Sequence, residues 1–262
     1  MIMIPVRDEK AIECMRKCNK ALGVMLDELS EMIRPGVTTY QLNLQAEKLI
    51  SKLGGRPNFK NYQGYPASIC TSVNDEVVHG IPSTKRILKE GDIISIDAGI
   101  EMNGYHSDAA RTFGVGSISP ECALLIKNTR SAFFAAMKAA VSGGRLYDIS
   151  NAVASYIEET GSDYGIVREL TGHGIGRKMH ENPMIPNYHK RTKGPRLSKG
   201  NTLAVEPMIT MGRPEIEILD DDWTVVTSDG SWAAHYENTI LITDGYPEIL
   251  SLGEKEKELG LE

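Results

Sequence analysis

The sequence predicts an α+β fold of two similar halves, each opening with helices and closing on antiparallel strands. Three observations carry this. Apolar residues recur at helical spacing over 8–33, 38–53, 119–143 and 147–159. Strand-like segments follow: IISIDAG before an Asn103-Gly104 turn, then TLAVEPMIT, WTVVTS and NTILIT from 202 onward. Finally, LKEGDIISIDAG (88–99) is echoed by LSKGNTLAVEPM (197–208), aligning Leu88 with Leu197, Gly91 with Gly200 and Asp97 with Glu206 at an offset of 109. Gly36 likewise precedes Leu42 as Gly143 precedes Ile149, at an offset of 107. Near-constant offsets describe a duplicated helix-then-strand unit, with halves of roughly 1–115 and 116–250 inside a single domain of 1–262. A pseudo-twofold axis would then set Asp97 and Glu206 at equivalent places on two facing half-sheets.

The first helix has its apolar face at Ala11, Met15, Cys18, Leu22, Met25, Leu29 and Met32, and Pro35-Gly36 stops it. Thr38 with Gln41 forms a capping box for the second, whose stripe Leu42, Ala46, Leu49, Leu53 ends at Gly54-Gly55. Residues 56–82, rich in Gly, Pro, Tyr and Asn, read as loop with a short strand at 68–73. Ser119-Pro120 is a cap followed by a first-turn proline, opening a helix that runs to Gly143-Gly144. The charged tail after Leu252 is expected to fray.

Composition narrows the function classes. The chain has 262 residues and a net charge of −6, which argues against nucleic acid as the main ligand and against DNA as a partner. No apolar run reaches about 18 residues, so no membrane span is expected. MIMIPVRDEK lacks the long apolar stretch and cleavage site of a signal peptide. Cys14, Cys18, Cys70 and Cys122 form no CxxC pair and read as reduced thiols, one of them (Cys18) in the core, of a cytoplasmic protein.

Chemistry concentrates on a few charged residues in apolar strands. If Asn103-Gly104 is a two-residue turn, Met102 faces Tyr105, Asp97 lies opposite Ala110, and Asp108 opposite Gly99. Asp97 and Asp108 then share one sheet face as diagonal neighbours, roughly 7–8 Å apart at Cα. A bulge would reverse that parity. Taken singly, Asp108 also suits a solvated turn and Asp97 a strand end, although an aspartate in IISIDAG needs a cation or several donors. Glu206 ends the strand LAV before Pro207, and Glu237 precedes the strand NTILIT, so the pattern of an apolar strand with one acid recurs. His173, between glycines in TGHGIG, can approach a crowded site; His79 and His180 lie in sequence motifs of their own, and any one histidine taken alone is more often a structural hydrogen bonder than a ligand. Asp97, Asp108, His173, Glu206 and Glu237 together supply four carboxylates and one imidazole, a set suited to two first-row divalent cations. Four converging negative charges cannot persist in a low-dielectric cleft, whereas two divalent ions would neutralise them and leave a bridging water easily deprotonated to hydroxide. No HExxH or CxxC zinc pattern is present.

With these segments in view, the chain resembles the type I methionine aminopeptidases, metallopeptidases of the pita-bread fold. The resemblance covers nearly the whole chain and rests on NYQGYPASICTSVNDEVVHGIP, GDIISIDAG, GYHSDAA, LTGHGIGRKMHENP, LAVEPMI and HYENT. It implies that Asp97, Asp108, His173, Glu206 and Glu237 bind a metal pair, with Asp108 and Glu237 bridging, and that the metals are Co, Mn, Fe or Zn. It implies catalytic roles for His79 at the scissile amide, His180 at the oxyanion and Glu206 in proton transfer. It also implies a methionine pocket of Phe59, Tyr62, Tyr65, Cys70, Met179 and Trp223, completed by His79 and His180. The implied reaction is removal of the initiator methionine from nascent chains when the second residue is small, by attack of a metal-bridging hydroxide.

This chain departs from the family's usual pattern at three positions. Asn238 stands where a histidine often follows the last glutamate, Met179 where an aromatic is common, and Phe59 where a smaller residue is frequent. Only 25 residues separate His180 from Glu206, too few for a type II insertion, so a bacterial-style minimal form acting as a monomer is expected. An X-Pro aminopeptidase or prolidase of the same fold is the alternative; those relatives usually carry a large N-terminal domain. The basic stretch HKRTKGPRLSK (189–199) reads as a solvated linker, with a transient contact to ribosomal RNA as its functional alternative.

Overall fold

The computed structural model describes residues 3–260. Helix α1 (Glu9–Ser30) starts where the Asp8 carboxylate accepts from the Ala11 amide, and it buries Met15, Cys18, Leu22, Met25 and Leu29. Helix α2 (Thr39–Lys52) carries the expected Thr38–Gln41 capping box. Both pack on a sheet formed by β1 (Ile69–Val73), β3 (Ile93–Met102) and β4 (Tyr105–Gly114), with Leu22, Met25, Leu42 and Ala46 against Ile94, Ile96 and Ile100. Strand β2 (Glu76–Val78) leaves this sheet to pair with a hairpin of the second half.

The β3–β4 hairpin has the expected register: Met102 opposite Tyr105, Asp97 opposite Ala110, Gly99 opposite Asp108. Asn103 (φ 56°) and Gly104 (φ 74°) both take the left-handed region, the conformation a type I′ turn demands. No bulge intervenes, so the two aspartates share a face.

In the second half, α3 (Pro120–Met137) begins at the Ser119 cap but ends before Gly143-Gly144, the last residues closing as turns. Helix α4 is Leu146–Glu159. The strands are β5 (Gly172–Gly174), β6 (Glu181–Ile185), β7 (Thr202–Val205), β8 (Met208–Thr210), β9 (Ile216–Ile218), β10 (Val225–Thr227), β11 (Ala233–His235) and β12 (Asn238–Leu241). Phe133, Met137, Ile149 and Val153 of the helices bury against Leu203, Ile209 and Ile240 of the strands. The expected single strand TLAVEPMIT is two, β7 and β8, interrupted at Glu206-Pro207; proline has no N–H for a ladder, and its carbonyl instead accepts from the Tyr236 amide.

The internal echo reappears in the backbone hydrogen bonds. Gly36 N to Leu88 O (2.8 Å) and Leu88 N to Val37 O (2.8 Å) are repeated by Gly143 N to Leu197 O (2.9 Å) and Leu197 N to Gly144 O (3.0 Å). Gly91 N to Val115 O and Val115 N to Asp92 O are repeated by Gly200 N to Ile242 O and Ile242 N to Asn201 O. Gly91 and Gly200 adopt the same φ, 90° and 89°, which only glycine takes freely. In this correspondence Ile96 opposite Arg111 becomes Val205 opposite Asn238, and Gly99 opposite Asp108 becomes Met208 opposite His235. The duplicated, antiparallel α+β architecture is therefore present down to register.

The tail does not fray as expected. Up to Gly260 it docks: α5 (Glu254–Glu258) lies on α1 through the Lys255 ammonium, which donates to Asp27 O and Ser30 Oγ, and Glu256 accepts from the Tyr236 hydroxyl and Arg130. Its last two residues, 261 and 262, lie outside the described residues. Among the described residues no helix is long and apolar enough to cross a membrane.

Candidate active site

All five residues of the expected metal set line one cleft of about 230 Å³, open to solvent, together with His79 and His180. Asp97 and Asp108 reach it from the β3–β4 hairpin and His173 from β5. Glu206 sits in the β7–β8 break and Glu237 in the β11–β12 break. Donor atoms of Asp108, His173 and Glu237 lie within 4.8 Å of one another, a span one cation can occupy. His173 Nε2 is 3.8 Å from Asp108 Oδ2 and 3.6 Å from Glu206 Oε1. Its other nitrogen, Nδ1, lies 2.9 Å from the Gly174 carbonyl, which accounts for Nε2 facing the cleft. The flanking glycines are obligatory: a Cβ on Gly172 would collide with the Ala204 carbonyl, and one on Gly174 with the Asn182 carbonyl.

The electrostatics are those of a site built for cations. Burial, then the charges of Glu237 and Asp97, pushes the Asp108 carboxyl well above its ordinary range. Glu206 and Glu237 are raised for the same reasons, and Asp97 is pushed up to about 7 by burial. Burial pulls His173 down to about 3 and His79 to about 4, the facing His180 adding to both, so these imidazoles stay neutral. Asp97 Oδ1, Asp108 Oδ1 and Glu237 Oε1 are buried without a hydrogen-bond partner. Orphaned carboxylate oxygens among neutral imidazoles fit divalent cations and nothing in the protein replaces them.

Above this floor, Phe59, Tyr65, Cys70 and Met179 are buried in one cluster, with Tyr62 and Trp223 packed against it. The sequence-predicted pocket residues thus come together. Trp223 stands edge-on to Tyr65 (5.0 Å between centroids) and near His79 (6.3 Å). The Tyr62 hydroxyl is 2.8 Å from His180 Nδ1, and the His180 ring is 4.3 Å from that of His173. His79 is held at φ 60°, a left-handed conformation costing a non-glycine residue about 1 kcal/mol or more. Gly80 follows because a Cβ there would meet the Thr71 carbonyl.

Two residues escaped sequence reasoning. His235 lines the cleft, 2% exposed, its Nε2 3.9 Å from Glu206 Oε2 and 4.0 Å from Glu237 Oε2. Period-two alternation puts it on the same strand face as Glu237, and the internal echo makes it the counterpart of Asp108; either signal could have found it. Arg111, also buried, donates to the backbone carbonyl of Glu237 and to Asn238 Oδ1 and faces Glu256 at 3.7 Å. Glu237 and Asn238 are 126 and 127 residues away, so no local pattern announces it.

A buried carboxylate–imidazole site at the centre of a duplicated α+β fold defines a metallopeptidase class, and comparison with known proteins agrees. Residues 13–244 match metallopeptidase family M24. The chain is 52% identical over 252 residues to a methionine aminopeptidase of Clostridium acetobutylicum, covering 96% of this chain and 100% of that protein. It is 44% identical to methionine aminopeptidase 1 of Bacillus subtilis, covering 95% and 99%. The crystal structure of the Thermotoga maritima methionine aminopeptidase superposes with a TM-score of 0.93 at 41% identity, covering 95% of this chain and 100% of that one. Prolidase from Pyrococcus furiosus shares the fold, with a TM-score of 0.76 at 24% identity over 66% of its length. The chain belongs to metallopeptidase family M24, and within it to the type I methionine aminopeptidases.

Proposed function

We infer that this protein removes the initiator methionine from nascent proteins and peptides, in the cytoplasm, when the second residue is small. The observation that carries the reading is an aromatic and sulfur-bearing pocket lining the same cleft as a cluster of unpartnered buried carboxylate oxygens. Asp97, Asp108, His173, Glu206 and Glu237 would hold two divalent ions, of Co, Mn, Fe or Zn type, with Asp108 and Glu237 shared. Such ions supply Lewis acidity and a water of lowered pKa.

The chain's own residues supply the rest. Phe59, Tyr62, Tyr65, Cys70, Met179 and Trp223 take the thioether side chain, for which soft, polarisable surroundings are suited. His79, neutral and half-buried beside Trp223, is poised at the amide nitrogen of the scissile bond. His180, at the exposed rim beside Tyr62, is poised to donate to the developing oxyanion. Glu206, facing both His173 and His235 in the cleft, relays a proton to the leaving amine.

The test is an anaerobic assay of the metal-free protein on Met-Gly and X-Pro peptides with each ion added and bound metal counted. Cleavage of Met-Gly with two ions bound is expected. Preferential cleavage of X-Pro peptides would replace this reading with the prolidase-like alternative.

The exposed Arg191, Lys193 and Arg196 of the basic loop suit a transient contact with ribosomal RNA by a monomer. Replacing them with Ala should weaken ribosome co-sedimentation most at low salt. Co-sedimentation that is unchanged across salt would end that idea.

A further inference from the structure

We propose that His235 is a positioning residue of the metal site: its Nε2–H donates to the outer oxygen of Glu206 and so holds that carboxylate for the cations. The inference rests on the metal-centre reading above and deepens it.

Three observations carry it. The duplication puts His235 at the place in the second half that Asp108 occupies in the first, opposite Met208 as Asp108 is opposite Gly99. A side chain at that register points into the same central cleft from the other half-sheet. Next, His235 is 2% exposed, and neither of its ring nitrogens has a hydrogen-bond partner. A buried imidazole left so is costly, which makes partners at the working site the expectation. Finally, Glu206 is divided between two imidazoles. Its Oε1 faces His173 Nε2 at 3.6 Å, and its Oε2 faces His235 Nε2 at 3.9 Å. Were cations held beside His173, Oε1 would be the oxygen offered to them, leaving Oε2 as the outer oxygen. Metal-ligating carboxylates are usually hydrogen-bonded at that oxygen, and a side-chain rotation closing the gap by about 1 Å would bring His235 Nε2 within bonding distance. Glu237 Oε2, 4.0 Å from the same nitrogen, lies on the other side of the donor and restrains its swing.

The experiment is a calorimetric titration of the metal-free full-length protein with Mn2+, run for wild type, His235→Ala and His235→Gln, with thermal melts of each metal-free form. His235→Ala should raise the Mn2+ dissociation constant about 10-fold. His235→Gln keeps an N–H donor at similar reach and should recover most of that loss, a recovery that simple loss of packing would not produce. Wild-type affinity in His235→Ala, or a His235→Gln as weak as His235→Ala, overturns the proposal. A Co2+-loaded wild type showing a second paramagnetically shifted imidazole N–H that vanishes in His235→Ala would also overturn it, by making His235 a ligand. A wild type that binds no Mn2+ tightly would fail the metal-centre reading itself, a different result from any of these.

Discussion

The two half-sheets build the same site by different means. In the first, Asp97 and Asp108 sit on ten-residue strands joined by a two-residue turn, and an unbroken ladder fixes both. In the second, the matching strands are three or four residues long, and both glutamates lie in the gaps between them. The glutamates escape the ladder and gain freedom to turn toward cations. What holds them is borrowed: Asn187 donates to the Glu206 carbonyl at 3.0 Å, and Arg111, from the first half, donates to that of Glu237. A local hairpin suffices where the ligands are in register. Where the ladder is interrupted, long-range polar contacts do the positioning.

That contrast can be tested from either side. The largest effect is expected at the shared floor of the site. Asp108→Asn removes a charge facing Glu237 and His173, and kcat/KM should fall roughly 1,000-fold with loss of bound metal. Near-normal turnover by that variant would undo the site assignment.

Arg111→Met attacks the borrowed support of the second half. It removes the guanidinium donor to the Glu237 carbonyl and to Asn238 Oδ1, leaving them the Ala110 amide and the Ser251 hydroxyl, and leaves Glu256 without one of its cations, so about 3 kcal/mol of stability should be lost in denaturant melts.

The carboxylates themselves predict a pH effect in the metal-free protein. Their folded pKa values lie above the unfolded ones, Asp97 pushed up to about 7 and Asp108, Glu206 and Glu237 each raised well above the ordinary carboxylate range. Between pH 6.5 and 8.5 the folded chain therefore holds protons that the unfolded chain has already released, and stability falls as pH rises. The slope is about 1.4 kcal/mol per pH unit for each proton retained. His79, His173 and His235, with folded values of about 4, 3 and 3, act in the opposite sense, but only below about 6.5 where the unfolded imidazoles charge. Thermal melts should show the fall without metal and its disappearance when Mn2+ is added.

The smallest effect belongs to the local hairpin. Gly104→Ala forces a side chain to φ 74° and should cost about 1 kcal/mol, with metal affinity nearly unchanged because the long ladder retains register.

Much of the molecule was legible because its signals are local. Thr38 caps its helix, Asn103-Gly104 sets a turn, and alternation then puts Asp97 and Asp108 on one face; each relation spans a few residues. Pocket residues from Phe59 to Trp223 were legible only through family resemblance, since nothing in their spacing announces a common cavity. The break at Glu206-Pro207 was half-legible: Glu206 before Pro207 reads as the end of the strand LAV, while TLAVEPMIT as a whole reads as one continuous strand. The docked tail was missed because Glu256 looks solvated until Tyr236, Arg130 and Arg111 are seen around it.

The sequence by itself determined the elements, the duplication and the inventory of charged groups, because caps, turns and side-chain periodicity act over short stretches of chain. Only the tertiary structure decided which of those groups meet. His235 beside Glu206, and Arg111 beneath Glu237, depend on pairing between strands more than a hundred residues apart, and the burial that makes their charges and hydrogen bonds matter exists only once both half-sheets have closed on each other.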